Sequence, residues 1–384
     1  MSDAMALAQE RNQIFDDLFA GRIPKRVPVS VNLPIEFCIQ YAGQDLADAQ
    51  WNTEMLEEIF DKACQDFASD MLPVLAFRFP SFYKLLGAKN FVMSSSGFLQ
   101  HPEVEGLARE DYDAFIASPF NCIMEKILPK LYTELDKDPV TKAMTLAKAF
   151  KAFHDEMGHA GMVYGKLIQK YGYTDVNLFA GFCEAPFDFV ADQLRGFKGI
   201  SIDVRRMPDK VEAAAEAATP LMIKMGVPPV PSKHASTFIP LHMAPYLREK
   251  DFAKLYWPTF KRLVEALAEA GYPSFLFAEQ DWMRYLDYLE ELPENTRIMF
   301  EYGDPKLAKE KIGKKHIISG FYPVSLLKTG TKQQCIDKAK ELIDILAPGG
   351  KYLFNLDKSP VTLDSVNVEN LQAVLEYVST NANY

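Results

Sequence analysis

From Val27 onward the chain alternates short strand-like apolar runs with amphipathic helical stretches, and no Gly/Ser-rich or Pro-rich linker divides it. The runs are VPVSVN (27–32), DMLPVLAF (70–77), VNLFAG (176–181), PLMIKMG (220–226, with a partly helical alternative), SFLFA (274–278), RIMFEY (297–302), HIISGF (316–321) and KYLFNL (351–356). Between them, DFAKLYWPTFKRLVEALAEAG puts Phe252, Leu255, Tyr256, Phe260, Leu263, Val264 and Leu267 on one face at helical period, with Gly271 as its C-cap. MRYLDYLEEL, PKLAKEKIG with Pro305 at its start, and TKQQCIDKAKELIDIL follow later strands as further helices. Strand-then-helix repetition without a composition break implies a parallel sheet covered by helices, and about eight units favour a closed barrel over an open doubly wound sheet. No G-x-G-x-x-G follows a strand, so a dinucleotide fold is not supported. The expectation is an α/β protein, a (β/α)8 TIM barrel forming one domain over 1–384, with an N-terminal helical extension over 1–26 and a helical insertion over about 103–172.

A chain of 384 residues, 48% apolar and 24% charged, can bury a large core. Its net charge of −10, with no basic run, excludes a surface built for nucleic-acid phosphates. The N-terminal MSDAMALAQERNQIFDDLFAGRIPKR mixes charged and apolar residues at helical spacing, unlike a secretory signal, and no segment is an uninterrupted apolar span, so no membrane partner and a cytoplasmic location are expected. The five cysteines, Cys38, Cys64, Cys122, Cys183 and Cys335, form no C-x-x-C and read as buried free thiols.

In a barrel of this class the reacting groups stand at the C-terminal ends of the strands. Those positions are Asn32, Arg78, Glu184, Glu279, Asp281, Glu301, Tyr302, Tyr322, Asn355 and Asp357, an acid-rich set. Asp281 and Asp304 can be explained as helix caps, since a carboxylate accepts the free N–H groups of a first turn. Glu279 and Glu301 stand at the mouths of apolar strands, ahead of any helix start, and are candidates for chemistry. Of the six histidines none lies in H-x-C or H-E-x-x-H; His154 and His159 are five apart, off one helical face. His234 in PVPSKHASTFIP is the best placed, after a possible strand, with a solvated loop histidine as the plainer reading.

The run GFCEAPFDFVADQLRGFKGISIDVRRMPDKV, with Gly181, Ala185, Pro186 and Phe187, resembles the turn after a barrel strand in uroporphyrinogen decarboxylases. The C-terminal ISGFYPVSLLKTGTKQQCIDKAKELIDILAPGGKYLFNLDKSPVTLDSVNVENLQAV and the stretch HMAPYLREKDFAKLYWPTFKRLVEAL are similar to the same superfamily. That resemblance implies a (β/α)8 barrel and two chemistries, uroporphyrinogen decarboxylation and methyl transfer involving a corrinoid protein. The decarboxylases' Arg-rich loop, which meets a polycarboxylate substrate, is replaced here by NLPIEFCIQYAGQD, and their Phe-Ser-Asp-Ile aspartate by LPVLAFRF. The thiol-methylating members hold zinc through His-x-Cys and a later Cys; here the first site falls on Phe277, Ala278 and Glu279, and YLFNLD has no cysteine, so no zinc is expected.

The remaining chemistry within the resemblance is methyl transfer between methylcobalamin and tetrahydrofolate. A carboxylate can accept the paired N–H donors of a pterin edge, a part open to Glu279, Glu301 or Asp357. The expected catalytic set is Glu279, Asn32 and Asn355; the expected folate-binding set is Glu301, Tyr302, Asp357, His234, Arg78 and Glu184. No Asp-x-His-x-x-Gly occurs, so the cobalamin is expected on a partner corrinoid protein, and the resemblance implies a homodimer. A zinc-independent decarboxylase or related lyase, a methylcobalamin:thiol methyltransferase and a non-catalytic binding barrel are the alternative readings.

Overall fold

Alternating side chains set the sheet. In SFLFAEQD, Phe275 and Phe277 face one apolar cluster with Leu178, Phe238, Met299 and Leu353, while Leu276 and Ala278 face a second, larger one shared with the helices. Both faces of such a strand are buried, as in parallel sheets sandwiched by helices. A computed structural model describes residues 3–76, 78–230, 232 and 234–382; Phe77, the last residue of one expected strand, lies outside them.

The strands are β1 (Leu33–Pro34), β2 (Val74–Leu75), β3 (Asn177–Phe182), β4 (Ala235–Leu241), β5 (Ser274–Asp281), β6 (Arg297–Tyr302), β7 (Ile317–Gly320) and β8 (Tyr352–Leu353), with a separate antiparallel hairpin at Val92–Met93 and Leu99–Gln100. β3 to β8 form a six-stranded sheet in sequence order, every pair parallel, and β1 pairs β2 in parallel. Backbone bonds continue beyond these pairings. Ser30 N–H donates to Phe354 O at 2.9 Å, Asp70 N–H to Val29 O at 3.0 Å, and Thr174 N–H to Asp70 O at 3.0 Å. This α/β arrangement is consistent with the expected barrel.

One expected strand is a helix. PLMIKMG belongs to the helix Pro208–Gly226, which carries Pro220 in its interior, and the fourth strand is instead ASTFIPL. A short apolar run does not distinguish a strand from a buried helical turn, and the true strand was disguised by Pro240. VPVSVN contains only an isolated bridge, Val29 to Phe354, and the strand β1 begins just after it at Leu33; the remaining expected strands overlap observed ones. The expected insertion is helical in several short pieces and one long helix, Pro139–Tyr171 of 33 residues, which packs on Asp3–Phe19, Leu56–Asp66 and Pro80–Leu86.

The N-terminal helix Asp3–Phe19 covers the N-terminal edge of the strands. Phe15 and Leu18 enter the cluster with Phe275 and Met299, and the Arg297 guanidinium at the start of β6 stands 3.7 Å from the Phe19 ring centroid. Nearby, buried Asp70 binds Arg26 through both oxygens, at 2.7 and 2.6 Å, and accepts from Val29 N–H. With that edge closed, access is left to the C-terminal ends. All five cysteines are free and buried, as expected. Among the described residues no helix is long and apolar enough to cross a membrane.

Candidate active site

β3, with Gly181 next to its last residue, leaves the sheet through a turn that contains Glu184. A Cβ on Gly181 would stand 2.4 Å from Gly226 O, so only glycine lets the strand lie this close to the end of the neighbouring helix. The chain then turns through Pro186–Asp188 and a wider π-type turn, Phe189–Arg195, which carries Asp188, Asp192 and Gln193 inward. Turns of this kind recur at functional sites. Glu184 is buried; its Oε1 accepts from Gln193 Nε2 at 2.8 Å and its Oε2 has no partner. Fully buried Asp188 accepts from the main-chain N–H groups of His242 and Met243, each at 3.0 Å, and from Tyr256 OH at 2.6 Å.

His242 follows directly on β4. Its Nδ1 lies 2.8 Å from Asp192 Oδ2, and its Nε2 lies 3.6 Å from Glu279 Oε1. Glu279 stands where the β5–β6 register shifts, and the next residue, Gln280, has φ of 61°. This bulge turns Gln280 N–H onto Glu301 Oε2 at 2.8 Å, while Glu301 Oε1 accepts from Lys358 Nζ at 2.7 Å. Trp282 Nε1 donates to Glu279 O at 3.0 Å and secures the same turn. Asp357 Oδ1 accepts from Val324 N–H at 3.0 Å.

Proton affinities in the cluster diverge. Burial, reinforced by Asp192, pushes the Glu184 carboxyl up to about 8. Burial also pushes Asp188 up to about 7, against the opposing charge of His242. Burial works against charge on His242, but the bond to Asp192 and the charges of Glu279 and Asp188 outweigh it and raise the imidazole to about 10. Glu279 is raised by burial in spite of His242, and Asp357 rises to about 6 by burial. Burial would also raise Glu301, but Lys358 and Gln280 N–H overcome it and lower its affinity. The result is one imidazolium among carboxyl groups of unequal proton affinity, a pattern suited to acid–base work.

Glu184, Glu279, Glu301 and Asp357 are thus brought to one edge. Arg78 lies with its guanidinium 5.2 Å from the Phe91 ring centroid, and His101 stacks on that ring at 4.5 Å. Burial and Arg78 lower the proton affinity of His101, on which Asp192 and His242 also act, so Arg78 and His101 border the cluster. Asn355 is buried, two residues before Asp357, with Nδ2 3.8 Å from Met299 Sδ. Asn32 ends no strand: it lies between the isolated bridge at Val29 and β1, which begins at Leu33, and it is half-buried. Tyr302 is 68% exposed, and Tyr322 is a core residue donating to Cys335 O. His234 is misplaced by the sequence reading: it precedes β4 rather than following a strand, so it lies at the opposite edge, between Asp175 and Asp16 of the N-terminal helix. Asp281 and Asp304 do cap, accepting from Met283 N–H and from Lys306 and Leu307 N–H.

Sequence reasoning missed Asp188, Asp192 and His242. The two aspartates lie inside the GFCEAPFDFVADQLRG run already singled out, and His242 would have stood at a strand end had ASTFIPL been read as a strand. Among the described residues, no three His, Cys, Asp or Glu side chains are grouped as metal ligands.

A helix-covered parallel sheet with an acidic site at its C-terminal edge defines an α/β protein with an enzyme-like site. The uroporphyrinogen decarboxylase (URO-D) family model matches residues 137–380, and the chain belongs to that family. Among solved structures it resembles a methyltransferase from Methanosarcina mazei, with a TM-score of 0.61 and 14% identity over 96% of this chain and 98% of that one. No curated protein matches.

Proposed function

We propose that the protein is a cytoplasmic enzyme that moves a methyl group between a corrinoid carried by a partner protein and tetrahydrofolate, and that its eight strand segments close into a (β/α)8 barrel. The observation that carries the reading is the cluster of Glu184, His242, Glu279 and Glu301, in which Glu184 Oε2 and His242 Nε2 are buried without a hydrogen-bond partner. Buried polar atoms of this kind are costly unless a ligand meets them. A pterin edge offers the N–H donors that carboxylates accept, whereas a polycarboxylate such as uroporphyrinogen would meet like charge here. The fold shared with a methyltransferase agrees with this choice.

Glu279 meets the reacting N–H region, and Asn32 and Asn355 are the polar groups assigned to the proton or a held water. Glu184, Glu301 and Asp357 bind the pterin edge, and Arg78 and Tyr302 border the longer part of the folate. His234, at the other edge, takes no part. The corrinoid supplies a methyl group on cobalt, and the protein contributes alignment and proton handling. No zinc is required where Glu279 occupies the strand end, and two copies form the working unit.

Mixing enzyme, methylcobalamin and tetrahydrofolate tests this. Folate-dependent loss of the methylcobalamin spectrum is expected; its absence would sink the proposal, and inhibition by EDTA would overturn the zinc-free part. E279Q should slow single-turnover transfer on the order of 10²-fold. E301Q should weaken folate binding roughly tenfold, the equivalent of one lost hydrogen bond to a charged group.

A further inference from the structure

His242 is held from two sides. Its main-chain N–H is fixed by Asp188, a carboxylate with no exposure that also takes Met243 N–H and Tyr256 OH. Its Nδ1 is fixed by Asp192 at 2.8 Å. These contacts leave Nε2 directed toward Glu279, whose Oε1 is 3.6 Å away, beyond a hydrogen bond's ordinary reach. Nε2 is sealed from solvent and has no other partner, although the side chain as a whole is 35% exposed. A ring clamped at one nitrogen and unpartnered at the other is arranged to exchange a proton with something that enters beside Glu279.

We infer, resting on the methyl-transfer reading above, that His242 is the acid–base residue of the reaction, exchanging a proton between Nε2 and N5 of the folate while Asp192 holds Nδ1–H. When N5 attacks the corrinoid methyl, the N5–C bond forms with the nitrogen lone pair and the cobalt–carbon bond breaks with its pair remaining on cobalt. The proton of the resulting N5 ammonium passes to neutral His242. In the reverse direction imidazolium Nε2–H protonates N5 of methyltetrahydrofolate, the N5–C bond breaks with its pair on nitrogen, and cobalt donates the pair that takes the methyl. Glu279 accepts from whichever nitrogen carries the proton.

The charged neighbours determine when the ring can act. Glu184, Asp188 and Asp192 face it from the turn after β3, and Glu279 from β5. Glu301 and Lys358 stand beyond Glu279 as a pair, and His101 and Arg78 border the Asp192 side. Without a ligand the acids favour imidazolium. A pterin whose N–H groups occupy Glu279 and Glu184 offsets part of that negative charge, so the ring gives up its proton more readily as substrate seats.

The test is single-turnover methyl transfer in both directions, from pH 6 to 9, with the intact protein, H242N and D192N, and with folate affinity measured separately. H242N should lose on the order of 10²-fold in rate and one limb of the pH profile. Its folate affinity should stay within about threefold, which also shows that the variant is folded. D192N should change the pH profile in the same sense by a smaller factor, and it serves as the second variant should H242N not fold. Transfer by the parent together with parent-like rates and pH profiles in the variants would overturn the inference alone. No transfer by the parent would overturn the methyl-transfer reading and this inference with it.

Discussion

Asp188 shows how a fully buried carboxylate can set a site's geometry through the main chain. Its carboxylate has three donors and no solvent, and two of the donors are the main-chain N–H groups that set the His242 turn. In D188N one amide N–H must face another donor, so a loss of about 1–3 kcal/mol is expected, read by urea denaturation. Glu184 gives a pH signature. Its folded affinity, about 8, exceeds its ordinary value of 4.5, so its contribution to stability is fully present below pH 4.5 and is lost as pH rises through 8. E184Q should remove up to about 1.4 kcal/mol per pH unit of that downward slope. Denaturation curves at pH 5, 6.5 and 8 would show it; identical slopes in parent and variant would refute it. At this scale the sequence was informative for acids that end a readable strand, as Glu279 and Glu301 do. It was silent for Asp188 and Asp192, because their inward direction comes from the short helix Pro186–Asp188 and the wide turn Phe189–Arg195 after it, which no periodicity announces.

Among elements, legibility followed pattern strength. Helix Lys332–Leu346 was readable from TKQQCIDKAKELIDIL, and its Thr331–Gln334 capping box is formed, so T331A should cost about 1 kcal/mol. The run 220–226, read as a strand with a partly helical alternative, is helical throughout, because four apolar residues suit a buried helix as well as a strand. The long helix Pro139–Tyr171 presents Gly158, Gly161 and Gly165 outward, with open space where each Cβ would be. Mid-helix glycine is unfavourable through backbone entropy, so G161A should raise stability by about 0.5–1 kcal/mol in a thermal melt. Destabilisation instead would mean that this face lies against another molecule.

For the whole molecule, parallel strand order was legible, because strand-helix repetition without linkers admits few other solutions. The role of the N-terminal helix was not. Amphipathic spacing marked it as a helix, but its place under the strands depends on long-range partners: Phe15 in the inner cluster, Arg11 on the carbonyls of Tyr171 and Gly172, and Asp16 on His234. F15A should lower stability by roughly 3–5 kcal/mol, the range for emptying a buried phenylalanine site, and a loss below 1 kcal/mol would remove the helix from the core.

The salt link from Lys358 to Glu301, and from Glu301 to the backbone of Gln280, joins the end of the last strand segment to the bulge that aims Glu279. During synthesis Glu279 is made long before Lys358 emerges. A nascent chain therefore carries its acids well before it carries the contact that sets their direction.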